Sequence, residues 1–298
     1  MNRPAPCLVS VITPCRNAEA FIAAAIDSVR SQTLTDWEMI IVDDASTDAS
    51  AAIVADYAAR DRRIRPVSLP RPTGAAGARN TAMASARGRY IAFLDSDDLW
   101  FPDKLAKQIA FMTAHNQALN YASYRLIDAR GGNLGVFTVA PSITRISLLK
   151  INSVSCLTAI YDTRHLGRMY MPDIATGQDY VLWLAILKRI GTARGLTEPL
   201  AAYRIIKTSL SSNKFRAARR RWWIYRRHER LGWARSVYYF CHYAYHGLIK
   251  YGAAQIRHWL AAGQIGGGGG GGIEITPRRE NYRRRPPPTW VRVKTAPR

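Results

Sequence analysis

The amino-acid sequence predicts an α/β fold: a mixed, mainly parallel sheet flanked by helices, with amphipathic helices appended at the C-terminal side. Three observations predict it. Short apolar runs alternate with helical periodicity from the N-terminus onward. Those runs are apolar on both faces, as strands of a covered parallel sheet are. Two of them end in clustered aspartates, and in open α/β sheets ligands bind beyond the carboxyl ends of the strands.

Leu8–Thr13 is apolar and β-branched, and Pro14 is expected to stop it. In Phe21–Ser31, Ile22, Ile26 and Val29 recur at helical spacing. Glu38–Val42 reads as a second strand running into Asp43-Asp44, and Ser46, Thr47 and Asp48 offer caps for a helix through Ile53 and Tyr57. Ile64–Leu69 is a third strand. Pro70, Pro72, Gly74 and Gly77 read as a loop leading into an alanine-rich helix that reaches about Arg87. Tyr90–Leu94 is a fourth strand, ending in Asp95-Ser96-Asp97-Asp98, and Pro102 opens a helix with Leu105, Ile109 and Met112 on one face. The pattern weakens over 118–175, where Leu157–Tyr161 suggests a strand and Gly131-Gly132 a turn. Gln178–Arg189 restores a helix, with Tyr180, Trp183, Leu184 and Leu187 on one face and Gly191 as its stop.

The 298 residues carry a net charge of +22, spread unevenly: about +6 over 1–213, +10 over 214–258 and +6 over 273–298. This divides the chain into a domain at 1–213, a basic aromatic helical extension at 214–265, and a Gly-rich linker with a disordered basic tail at 266–298. Four scattered cysteines suit a reducing compartment. No signal peptide and no apolar stretch of membrane-spanning length is read, so a cytoplasmic location is expected.

The carboxylates carry the chemistry. Asp95 and Asp97, two apart in an extended segment, can face one ligand. Three acids within four residues repel one another unless a cation sits among them. Oxygen donors select a hard divalent ion, Mg²⁺ or Mn²⁺, which completes its shell with water and substrate phosphates. The plain alternative is a solvated acidic turn. Asp43-Asp44 similarly reads either as helix capping or as an acceptor for a uracil imide N–H.

Ser10–Asn17 (SVITPCRN), Ile40–Ser50 (IIVDDASTDAS), Gly77–Asn80 (GARN) and Gly88–Pro102 (GRYIAFLDSDDLWFP) together resemble family 2 glycosyltransferases of the GT-A fold. Gly177–Trp183 (GQDYVLW) and Tyr203–Ser212 (YRIIKTSLSS) resemble that family's acceptor-side and closing segments. The resemblance spans about 7–212 and is nearest in style to bacterial enzymes that build surface polysaccharides. It implies an inverting transfer from a nucleotide-sugar donor, UDP-linked for preference, to a hydroxyl of a glycan or lipid-linked acceptor. By position it implies that Thr13, Pro14 and Asp44 hold the nucleoside. Asp95 then lies near ribose and metal, Asp97 binds the metal, Arg79 lies near the donor, and Asp179 is the catalytic base. Cys15 stands where the family often has an aromatic, and Gln178 where it often has Glu.

Asp179 has its own plain alternative, a helix-capping carboxylate; as a base, it gains from a helix dipole that favours its ionised form. The basic aromatic stretch from Lys214 to Trp259 reads as a solvated helical face or as a peripheral contact with an anionic membrane on the inner face of the cell. Nucleic-acid binding is disfavoured, since no recognised motif accompanies the charge. A phosphoacceptor signalling domain is too short to account for this chain. A catalytically inactive nucleotide-sugar-binding protein of the same fold stands as the rival reading.

Overall fold

Nine elements make up the first part of the chain: β1 (Val9–Cys15), α1 (Ile22–Arg30), β2 (Trp37–Asp43), α2 (Ser50–Arg60), β3 (Ile64–Ser68), α3 (Gly74–Ser85), β4 (Tyr90–Phe93), β5 (Leu99–Trp100) and α4 (Lys104–Ala114). The second part adds β6 (Leu119–Ile127), β7 (Asn133–Phe137), β8 (Ser142–Thr144), α5 (Arg145–Lys150), β9 (Ile160–Asp162) and α6 (Thr163–Leu166). It closes with α7 (Gln178–Ile190), β10 (Thr192–Arg204) and α8 (Lys214–Trp223). This computed structural model describes residues 7–206 and 214–245. The sequence expectations for 246–265, the glycine run and the basic tail lie outside the described residues.

Within that range the strands form one mixed sheet in the order β3-β2-β1-β4-β9-β6-β10-β5, with β7 on β6 and β8 on β10. β3, β2, β1 and β4 are parallel, β6 and β10 are parallel, and β9 joins the two sets antiparallel to β4 and β6. Successive residues of β1, β2 and β4 go to opposite cores. Ile12, Ile40 and Phe93 pack with Ala78 and Ala82 of α3 and Trp183 of α7. Val11, Met39 and Ala92 pack with Ile22 and Ile26 of α1 and Leu105 of α4. Burial on both faces is why these strands read as unbroken apolar runs.

A polar latch ties the strands together at their starting ends. The Ser10 hydroxyl donates to Glu38 at 2.7 Å and accepts the Gly88 N–H at 2.8 Å. Glu38 also takes the Arg87 N–H at 2.7 Å and pairs with Arg65 and Arg87. A Cβ at Gly88 would lie 2.7 Å from the Val9 carbonyl carbon, so only glycine lets the chain pass here.

Several expectations are modified. Pro14 does not stop β1, which runs to Cys15. Pairing of β1 with β4 ends at Ile12 opposite Phe93, so two residues later the missing N–H of Pro14 costs no ladder bond. Gly74 and Gly77 lie inside α3, not in a loop before it. A Cβ on Gly77 would meet Thr73 Cβ at 2.6 Å, so the bare residue lets Thr73 close over the first turn. The suggested strand at 157–161 divides into a 3₁₀ turn (Cys156–Thr158) and β9. β6 and β10, unread in the sequence, form the second half of the sheet.

α8 continues into a π-helical turn (Ile224–His228), and a further helix occupies 233–245. This region packs on the α/β body: Ile224 and Tyr225 are buried, the Tyr225 hydroxyl donates to the Leu149 carbonyl at 2.5 Å, and Arg145 pairs with Glu229.

Candidate active site

Parallel strands put their C-terminal ends along one rim, and the aspartates read from the sequence lie there. β4 ends at Phe93; the chain then turns through Asp95, Asp97 and Asp98 before β5. Asp95 pairs with Arg79, which α3 carries in from below the same rim. Arg79 is almost wholly buried, and its Nε has no hydrogen-bond partner.

Asp98 is buried and accepts the Arg204 N–H at 2.8 Å. The Arg204 side chain donates to the Asp97 carbonyl at 2.8 Å and to the carbonyls of Asp128 and Ala129. The last residue of β10 thus pins the acidic turn. Burial raises the Asp97 carboxyl above its ordinary range, and the charge of Asp95 adds to the rise. Asp98 is raised further, by burial and then by Asp97 and Asp95.

Asp179 occupies the first turn of α7, behind Gly177, whose φ of +81° suits the left-handed entry that glycine tolerates. Burial raises its carboxyl, outweighing the pull of Arg79, the Tyr180 N–H and Arg221. The helix-dipole expectation of an acid favouring its charged form is therefore reversed in sign: dehydration wins. Arg79 acts on Asp179 as well as on Asp95, so one buried cation feels both a strand-end acid and the α7 acid. Arg221 of α8 lies 3.6 Å from the centre of the Tyr180 ring, and its Nη1 is buried without a partner.

The nucleoside candidates sit elsewhere along the rim. Asp44 follows β2 and spends its carboxylate on the entry to α3: Thr73 N–H at 2.6 Å, Thr73 hydroxyl at 2.9 Å and Gly74 N–H at 2.9 Å. It caps α3, one helix later than the sequence suggests, and its link to Asp95 runs through that helix and Arg79. The neighbouring Asp43 keeps one buried oxygen unsatisfied, as does the hydroxyl of Thr13 at the end of β1. Pro14 is half-buried beside it. Unsatisfied buried polar atoms are uncommon in folded proteins, and a cluster of them at strand ends suits a polar ligand.

Among the described residues no group of three or more His, Cys, Asp or Glu side chains is placed to hold a metal alone. The donor set nonetheless fits a hard divalent ion. Asp95 and Asp97 offer carboxylate oxygens in mutual repulsion, and such an ion commonly takes one or two protein carboxylates with water and phosphate for the rest.

Arg204, Arg221 and Cys156 were not read as site residues. Cys156 is buried and feels the charges of Arg79, Asp95 and Asp179, with burial raising its thiol well above the usual range. Arg204 falls within the Tyr203–Ser212 segment, whereas no local motif marks Arg221 or Cys156; the proximity of all three is tertiary.

Comparison with known proteins places this geometry in a family. The model of glycosyl transferase family 2 matches residues 10–150. The chain is 45% identical over 244 residues to the Bacillus subtilis glycosyltransferase TuaG, named for teichuronic acid biosynthesis; the match covers 82% of this chain and 97% of that protein. It is 40% identical over 216 residues to Escherichia coli WfgD, a UDP-Glc:alpha-D-GlcNAc-diphosphoundecaprenol beta-1,3-glucosyltransferase, covering 72% and 84%. Among solved structures, S. aureus TarS in complex with UDP-GlcNAc superposes with a TM-score of 0.60 at 21% identity, covering 80% of this chain and 71% of that one. The strand-end acids thus sit on a GT-A scaffold, and the chain belongs to glycosyl transferase family 2.

Proposed function

We propose that this protein transfers a sugar, with inversion, from a UDP-sugar to a hydroxyl of a lipid-linked acceptor during bacterial surface-polysaccharide synthesis. The observation that carries the reading is the buried Arg79, which is ion-paired with Asp95 and near enough to Asp179 for their charges to be felt. The acceptor class follows from relatives such as WfgD.

In this reading Asp179 takes the proton of the acceptor hydroxyl. Its raised affinity for protons makes it a better base near neutral pH than an ordinary carboxylate. Arg79 holds Asp95 by an ion pair, and its charge opposes the rise that burial imposes on the Asp179 carboxyl. One base on the face opposite the leaving group gives inversion. Asp97 and Asp95 would hold Mg²⁺ or Mn²⁺, which when bound neutralises charge on the departing nucleoside diphosphate. Thr13, Pro14 and Asp44, with Asp43 beside them, form the nucleoside seat.

The domain division at 213/214 and a cytoplasmic, membrane-peripheral placement belong to the same proposal. Among the described residues no helix is long and apolar enough to cross a membrane. Trp233, Val237 and Tyr238 are exposed on helix 233–245, which suits an interface.

The test is a transfer assay with labelled UDP-sugars and a diphospho-lipid acceptor, run for the wild type and Asp179→Asn. Transfer should fall by about 10²- to 10⁴-fold, the usual worth of a positioned base, while UDP still raises the melting temperature. EDTA should suppress transfer. A fully active Asp179→Asn protein would remove the base assignment, and a wild type without turnover that still binds UDP would favour the inactive binding protein.

A further inference from the structure

A cavity opens beside the start of α7. It has a volume of about 400 Å³ and lies between the 174–176 segment and α8. Ile174, Ala175, Thr176, Arg219, Arg220 and Trp223 line it, and the surface they present to it is mostly apolar. The Thr176 hydroxyl is buried without a hydrogen-bond partner. Neither arginine pairs with an acid among the described residues, whereas Arg145, Arg79 and Arg89 elsewhere all do.

The cavity adjoins the proposed base. A Cβ on Gly177 would lie 3.5 Å from Arg220 Cδ and 3.4 Å from Ile224 Cδ1, so α8 and the π-helical turn after it rest on the residue that precedes α7. Two residues further on is Asp179. The guanidinium groups of Arg219 and Arg220, without an acid partner among the described residues, offer hydrogen-bond donors to phosphate oxygens. The tryptophan and aliphatic walls suit a hydrocarbon chain leaving that phosphate. A nucleotide diphosphate carries no such chain.

We propose that this cleft binds the diphosphate of the lipid-linked acceptor, so that the sugar borne by that diphosphate extends from Arg219 and Arg220 over Gly177 to Asp179. The proposal rests on the sugar-transfer reading above and adds to it the part of the acceptor that α8 grips.

The probe is farnesyl diphosphate, titrated calorimetrically into the full chain with UDP present at saturation to occupy the donor seat. Farnesyl diphosphate should bind, and farnesol and inorganic pyrophosphate should each bind at least about ten-fold more weakly. R219Q/R220Q should weaken the diphosphate by about 10- to 100-fold, the worth of one or two charge-assisted hydrogen bonds. UDP affinity should be unchanged, and R219K/R220K should recover most of the loss. Arg219 is exposed, so Arg219→Gln alone gives a folded variant and a smaller loss in the same direction. The proposal is overturned if wild type fails to bind the probe, if UDP displaces it, or if R219Q/R220Q binds it as tightly as wild type. It is equally overturned if that variant loses only its binding to phosphatidylglycerol vesicles. A chain that binds farnesyl diphosphate but no UDP would instead defeat the sugar-transfer reading.

Discussion

Replacing Arg79 by Gln removes the buried cation while keeping the length and polarity of the side chain near those of the original. Breaking a buried ion pair typically costs about 3–5 kcal/mol. Here the Asp95 side chain is 32% exposed and can take up water once freed, whereas that of Arg79 is only 8% exposed. Screening on the Asp95 side reduces the cost to about 2 kcal/mol. For a domain of this size that lowers the melting temperature by about 4–8 °C. The same change has a second, independent effect. Arg79 is the largest influence holding the Asp179 carboxyl down against burial. Without it, that carboxyl binds protons more tightly, and the ionised base is lost at a higher pH. The acid limb of the pH–rate profile therefore moves upward. Differential scanning fluorimetry reads the first effect and kcat/KM against pH reads the second; Arg79→Lys, which keeps the charge, should restore the limb more fully than the melting temperature. A variant melting within about 1 °C of wild type, with a superimposable pH profile, would refute the reasoning on both counts.

Two further predictions concern the scaffold. Gly195 of β10 lies under the Tyr121 ring, where a Cβ would come within 2.7 Å of the ring's Cζ. Gly195→Ala should cost about 1–3 kcal/mol through overpacking, read as a lower midpoint in urea with an unchanged slope. At the strand-start latch, burial pushes the Glu38 carboxyl up, but the Ser10 hydroxyl, the Arg87 N–H and Arg65 together hold it below its ordinary value. A lowered carboxyl contributes stability that is present above its unfolded pKa and is lost as pH falls through the folded one. Glu38→Gln should accordingly flatten the fall in melting temperature below about pH 4.5, and an unchanged acid slope would count against the latch.

The parallel half of the sheet was legible because its strands are short, mostly apolar runs, two of which, β2 and β4, lead into acid. The other half was not. β6 carries Asn120 and Ser123, which read as loop residues in isolation but are satisfied in the core: Gln108 donates to Asn120 at 2.7 Å, and Ser123 accepts the Val139 N–H at 3.0 Å. β10 contains Gly195 and Pro199 and shifts register against β6 on either side of Pro199, so its period of two is broken in sequence as it is in space. The site divides in the same way. Asp95, Asp97 and Asp179 could be named because they close or open elements that the sequence already marks. Arg204 and Arg221 reach the site from a strand end and a helix far along the chain, and only packing brings them there. Asp44 was named from its position, but its partners, Thr73 and Gly74, lie about thirty residues on.

The Ser10–Glu38–Arg87 latch and the bare backbone of Gly88 belong to the rim where the strands begin, a full strand length from the acids at the other rim. Rigidity and turnover are thereby assigned to different ends of one slab. Engineering for heat tolerance has free ground at the first rim, where stiffer side chains or added ion pairs need not trade against the mobility that chemistry requires at the second.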